Sequence, residues 1–493
     1  MKSKLLFFLL IPLASFSQVQ IGANINGEAA GDFSGESICL SSNGNIVAIG
    51  AIDNDGINGA DSGHVRVYEN QGGSWVQIGA DIDGEAANDF SGESVCLSSN
   101  GTILAIGATE NDGANGTDSG HVRVYENQSG SWVQIGADID GEAAEDFSGL
   151  SVSLSGDGTI VAVGAESNDG ANGTDSGHVR VYENQSGSWV QVGVDIDGEA
   201  ADDYFGTSVK LSNNGNILAV GALGNDGNGT DSGHVRIFEN QSGNWVQIGS
   251  DIDGEATEDF SGESISLSAD GSIVAIGAID NDGVNGNGSG HARVYQNQSG
   301  SWVQVGADID GEAAGDGSGV SVNLSDDGSI LAVGAYFNDG VNGADSGHVR
   351  VYQNQSGSWV QIGVDIDGEA ADNFSGFSTS LSSNGMILAV SGDSDDNGVD
   401  SGHVKIYDLS AVLSATSFYQ HSVSFYPNPV KDELTLSMAK GLELKKITVY
   451  NMLSQYLFST KALKIDTTSL KNGIYFFEVE TNKGISTKKI VVK

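Results

Sequence analysis

Proline is almost missing from this chain, at 3 of 493 residues, while glycine reaches 71. That imbalance excludes a proline-stiffened linker protein and points to many tight turns between short elements. Cysteine is scarce too, at 2, which excludes a disulfide-dense scaffold. Basic residues number 21 against 66 acidic ones. Most of the deficit lies in residues 18–422, which hold only 8 basic residues and 60 acidic ones. Such a field repels nucleic acid and anionic membrane surfaces and attracts divalent cations or cationic partners. Long apolar runs are absent as well. The longest opening run, Leu5 to Leu13, falls short of the roughly 20 residues a membrane-spanning helix needs. No segment of residues 18–409 shows the 3.6-residue periodicity of an amphipathic helix.

What is present begins with that same apolar run. Lys2 and Lys4 precede it and the small-residue pattern Ser15-Phe16-Ser17 follows, so residues 1–17 read as a secretory signal peptide with the mature chain expected to start at Gln18.

The phrase Ser-Gly-His-Val-Arg-Val-Tyr then recurs with its histidine at positions 64, 121, 178, 234, 291, 348 and 403. A period of about 57 residues suits a four-stranded propeller blade. In the second unit the expected strands are Glu93 to Ser98, Ile103 to Ala108, His121 to Glu126 and Ser131 to Gly136. Each is bounded by Gly, Asn, Ser or Asp. Six units open their fourth strand on a tryptophan, from Trp75 to Trp359, and the seventh stops at Leu409 without one. Val19-Gln20-Ile21-Gly22 repeats Val76-Gln77-Ile78-Gly79, so the missing strand stands at the other end of the chain. The expected fold is therefore all-β, a seven-bladed propeller over residues 18–409 whose N-terminal strand closes the last blade. The tryptophans are expected to pack between blades.

Phe90-Ser91-Gly92-x-Ser94-Val95 followed by Leu104-Ala105-Ile106-Gly107-Ala108 resembles the FG-GAP repeat of integrin α-subunit propellers. The resemblance covers all seven units. It departs from that pattern in lacking Pro after Gly-Ala, and Ser98-Ser99-Asn100-Gly101 stands where the family has a calcium loop. The resemblance therefore implies no calcium site at that position.

Alternate connections of each blade share a face. One face collects the loops of the Asp81–Asp89 and Glu110–Asp118 type, and the other collects Ser-Ser-Asn-Gly and Asn-Gln-Ser-Gly turns. The first face is strongly acidic. Carboxylates at loop positions 1, 3, 5 and 9 suit a hard cation such as Ca2+. Asp81, Asp83, Glu85 and Asp89 have that spacing, as do Asp138, Asp140, Glu142 and Asp146, and Asp251, Asp253, Glu255 and Asp259. The alternative is that these acids cap turns and solvate the rim. The seven histidines are expected to hydrogen-bond to loop carboxylates, and the repeated arginines to compensate charge. Departures from the repeat mark candidate ligand contacts: Tyr204, Phe205, Tyr336, Phe337 and Phe377, either stacking on sugar rings or filling gaps between blades. Cys39 and Cys96 occupy equivalent positions. Other units place Ser153, Lys210, Ser266, Asn323 and Ser380 there, so the fold does not require a bridge although export permits one.

Residues 410–422 read as a joint. From there the repeat ends and the charge reverses, with 11 basic and 6 acidic residues between Val423 and Lys493. Phe425-Tyr426-Pro427-Asn428-Pro429, Ile447-Thr448-Val449-Tyr450-Asn451, Leu470-Lys471-Asn472-Gly473-Ile474-Tyr475 and Lys488-Lys489-Ile490-Val491-Val492-Lys493 resemble the type A C-terminal sorting domain of type IX secretion. By pattern alone, 423–493 is a small antiparallel β-sandwich. The resemblance implies the type IX machinery as partner and passage across a Gram-negative outer membrane, to be secreted or held at the outer surface. No nucleophile-base pair or hydrolase motif is present and no catalytic residue is assigned. The expected function is non-catalytic binding or adhesion to an extracellular glycan or protein. A secreted polysaccharide-acting enzyme and a structural surface-layer component are the alternatives.

Overall fold

The computed structural model describes residues 17–393, 397–413, 423–438, 442–452, 455–481 and 484–493. The expected signal peptide, but for its last residue, and residues 414–422 of the expected joint lie outside these. Contacts divide the chain into two compact units, Ser17–Leu409 and one containing Ser410–Lys493.

The larger unit is seven antiparallel sheets. In the second, the strands are Ser94–Leu97, Ile103–Ala108, His121–Asn127 and Trp132–Gln134, close to the expected ranges. A fifth strand was not anticipated. Past Trp132–Gln134, Ile139–Asp140 continues along the same edge of the third strand, antiparallel to it, and pairs with its start, His121 opposite Asp140. Two residues of alternating pattern are too short to stand out as a strand in sequence.

The second strands, such as Ile103–Ala108, are apolar throughout because both of their faces are buried. The core lies between blades rather than within them. Ala48, Val65 and Val67 of one unit pack with Leu97, Leu104, Ile106 and Tyr125 of the next. Close approach of the blades explains one repeated glycine. A Cβ on Gly107 would stand 2.0 Å from the carbonyl oxygen of Gly149 in the following blade. Six units keep this glycine, and the seventh has Ser391.

The ring is closed as expected. Val19–Gln20 pairs with His403–Asp408, Val19 opposite Asp408 and Gln20 opposite Tyr407. The inner strands touch in succession, and the last, Thr379–Leu381, touches the first, Ser34–Leu40. Every tryptophan Nε1 donates to a carbonyl of the preceding blade: Trp132 to Ile78 at 3.0 Å, and Trp75 to Ile21 at 2.9 Å. Ile21 thus occupies in the seventh blade the position Ile78 occupies in the first. Where that blade lacks a tryptophan, the Gln18 amide donates to the Val364 carbonyl at 2.6 Å.

The smaller unit consists of a three-stranded and a four-stranded antiparallel sheet. Leu434, Leu436, Ile447, Val449, Phe477, Val479 and Ile490 from both sheets form its core.

Candidate functional site

The loop from Asp81 to Asp89 carries the first predicted carboxylate set, and each of its acids has its own task. Asp89, 2% exposed, accepts the backbone N–H groups of Glu85 and Ala86 through Oδ2, both at 2.8 Å. Asp81 accepts from the Gln77 amide at 2.6 Å. Glu85 faces the Arg123 guanidinium at 3.6 Å, and the same arginine donates to the Asp83 carbonyl at 2.8 Å. Burial, then repulsion from Asp81, raises the Asp83 carboxyl above its ordinary value. Asp138, Asp140, Glu142 and Asp146 repeat the pattern, with Asp146 accepting from Glu142 and Ala143 at 3.0 and 2.8 Å. So do Asp251, Asp253, Glu255 and Asp259, with Glu255 3.4 Å from Arg293.

The four acids of one loop therefore have separate partners. The set that does converge crosses two loops: ligand atoms of Glu85, His121 and Asp138 lie within 4.8 Å of one another. The set recurs, for example as Glu28, His64 and Asp81. These acidic and histidine clusters could hold a metal ion. His121 is 1% exposed, and burial, then Arg123, pushes its imidazole down to about 4. Its Nε2 is buried with no hydrogen-bond partner, as in five other units. The expected hydrogen bond from these histidines to a loop carboxylate is therefore not made through Nε2.

The predicted aromatics separate into two groups. Phe205 is fully buried, with the Arg236 guanidinium 4.2 Å above its ring and Phe238 edge-on at 6.3 Å. It is a packing residue, and its place among ligand contacts is corrected. Tyr204 lies against Gly224, apart from the other aromatics.

Tyr336, Phe337 and Phe377 come together. Ring centroids are 3.8 Å apart for Tyr336 and Phe337 and 5.7 Å for Tyr336 and Phe377. Phe374, which sequence comparison passed over as an ordinary member of the repeat, joins at 5.8 Å from Phe337. These rings line a cavity of about 260 Å³ where the sixth, seventh and first blades meet. Phe337 and Phe377 are 39% and 37% exposed. Phe33, Glu36 and Asp393 complete its wall. The local cause is a pair of exchanges in the repeat. Gly317 stands where other units have Phe or Tyr, and the Tyr336 ring takes the vacated space, 3.0 Å from where a Gly317 Cβ would be. That substitution was the readable signal.

Burial, then Glu93, Asp393 and Asp53, raises Glu36 to about 8. At neutral pH its carboxyl is therefore largely protonated and can donate as well as accept a hydrogen bond. Glu93 and Glu263 line the axial channel with Glu36 and are raised to about 7, burial again leading.

The fold and these sites define a propeller of FG-GAP-type repeats, a class that suggests a surface or binding protein. Residues 194–238 match the family model of the FG-GAP repeat, and here Phe205-Gly206 supplies the literal Phe-Gly. Residues 424–493 match the model of the secretion system C-terminal sorting domain. The chain thus carries an address read by the type IX machinery, which exports it to the cell surface or the extracellular space. No helix among the described residues is long and apolar enough to cross a membrane.

No curated protein matches in sequence. Among solved structures, the RRP9 WD40 repeats are similar at 13% identity, with 80% of this chain and 99% of that chain covered and a TM-score of 0.48. U3-55K is similar at 13% identity, with 80% and 98% covered and a TM-score of 0.47. A putative 6-phosphogluconolactonase from Bacteroides uniformis ATCC 8492 follows at 14% identity, with 68% and 85% covered and a TM-score of 0.46. Likenesses at this level carry no functional argument.

Proposed function

We propose that this protein is a non-catalytic glycan-binding adhesion protein of the cell surface, and that the cavity between the sixth, seventh and first blades receives a sugar residue. One observation carries this reading: partly exposed aromatic rings stand beside a protonated carboxyl, Glu36, and a second acid, Asp393, at the place where the repeat breaks. Aromatic faces stack on the C–H faces of sugar rings, and carboxyl groups pair with hydroxyls. The near-identical loops around the same face would add weak contacts that multiply on a repeating polymer. Calcium dependence would act through the cross-loop sets such as Glu85, His121 and Asp138, because there the donors converge. One acid and one oriented base in unlike surroundings, as glycoside hydrolysis requires, are not evident among near-identical units.

The test is binding of soluble oligosaccharides to the folded protein, with Phe337→Ala and Phe377→Ala as variants. Each is expected to weaken binding by about tenfold or more, the worth of one stacked ring, with Tm little changed. Binding unchanged in both variants removes the cavity from the reading. Turnover of any polysaccharide replaces it with the enzymatic alternative, and self-association without a soluble ligand replaces it with the surface-layer one. A Tm equal in calcium and in chelator removes the calcium component.

A further inference from the structure

Away from the acidic face, the axial channel is belted by one side chain from each inner strand. Ser380, Ser153 and Ser266 use their hydroxyls to accept the backbone N–H of Leu40, Leu211 and Leu324 in the next blade, at 2.9, 3.0 and 2.9 Å. Two consecutive members of the belt are thiols. Leu97 N–H donates to Cys39 Sγ at 3.1 Å and Leu154 N–H to Cys96 Sγ at 3.2 Å. The geometry that ties each member to the next blade brings Cys39 against Cys96: the two pack in one cluster, and each thiol donates to the carbonyl of its own following residue, Cys39 to Leu40 at 3.8 Å and Cys96 to Leu97 at 3.9 Å. Both line one channel cavity together with Lys210, the sole cation of the belt.

We propose that Cys39 and Cys96 are a modification site, joined on export into a disulfide that staples the first two blades at the channel wall. The cysteines keep the hydrogen-bonded step that serines make elsewhere in the belt, and that step holds the two thiols side by side before any bond forms. Lys210 favours the thiolate of either cysteine, and Cys96 is held below the ordinary thiol value by the Cys39 thiol beside it first and by Lys210 next after burial's opposing effect. The oxidant is a low-molecular-weight or protein disulfide of the oxidising compartment. Cys96 thiolate attacks one sulfur of that disulfide and displaces its partner thiolate, giving a mixed disulfide. Cys39 then loses its proton to the released thiolate and attacks Cys96 Sγ, displacing the second thiolate. Two electrons and two protons pass to the oxidant, which leaves as two thiols.

The test equilibrates the folded full chain with glutathione disulfide, then blocks, denatures and maps it by mass spectrometry. The expected product has no free thiol, is lighter than the reduced chain by two hydrogens and yields one peptide pair joining Cys39 to Cys96. Its Tm is a few degrees above that of the reduced protein. Two free thiols, a lasting glutathione adduct on one cysteine, or a bridge between chains overturns the proposal. Cys39→Ser, which places at this position the residue three other units carry, is expected to fold with the reduced protein's Tm and to keep a thiol at Cys96. Lys210→Met is expected to slow oxidation by about tenfold at neutral pH. An unchanged rate removes the lysine from the proposal.

Discussion

Six histidines, His64, His121, His178, His234, His291 and His348, have an imidazole pushed down from 6.5 to about 4 by burial and by the arginine two residues on. The unfolded chain takes up protons near pH 6.5 that the folded chain refuses until about pH 4. Their contribution is therefore complete above pH 6.5 and is lost as pH falls towards 4, by about 3 kcal/mol for each histidine. Glu36, Glu93 and Glu263 act in the other direction. Their folded carboxyls ionise at about 7 to 8 rather than 4.5, so stability declines as pH rises through that window. A Tm profile from pH 8 to 4 is expected to peak near pH 6 to 6.5 and to fall steeply on the acid side. A profile flat between pH 6.5 and 4.5 contradicts the buried neutral imidazoles.

At the scale of the element, the loop entering each blade is organised by its last acid. Asp89→Ala leaves two backbone N–H groups without their acceptor and is expected to cost about 1–3 kcal/mol, read as a lower urea midpoint with an unchanged slope. Asp89→Asn is expected to cost less. The seventh blade carries that substitution naturally, and Asn373 accepts the Glu369 N–H at 3.1 Å. Loop spacing made Asp81, Asp83, Glu85 and Asp89 look like one ligand set. Spacing along the chain does not say which neighbour each side chain meets, and Arg123 and Gln77 drew Glu85 and Asp81 apart.

At the scale of the molecule, stability depends on a seam. Removal of Gln18–Ile21 takes away the outer strand of the seventh blade, the Gln18 bond to Val364 and the acceptor of Trp75. The deletion is expected to lower Tm by roughly 10 °C or more and to expose the edge of His403–Asp408, which pairs readily with other chains. Light scattering would show more association than the intact protein gives. An unchanged Tm with a monomeric product would mean the ring does not need its seam.

The 57-residue period, the alternating and continuous apolar strands and the displaced Val-Gln-Ile segment were enough to derive the wheel, because each is a local pattern repeated seven times and ring closure follows from matching ends. The tail was equally legible from its ordered motifs. The tertiary structure alone decided which carboxylates converge, that Phe205 is core while Phe374 lines a cavity, and that Cys39 meets Cys96. These depend on contacts between blades. A sequence shows what each unit repeats, but the side chain of one unit is placed by the backbone of its neighbour across the ring.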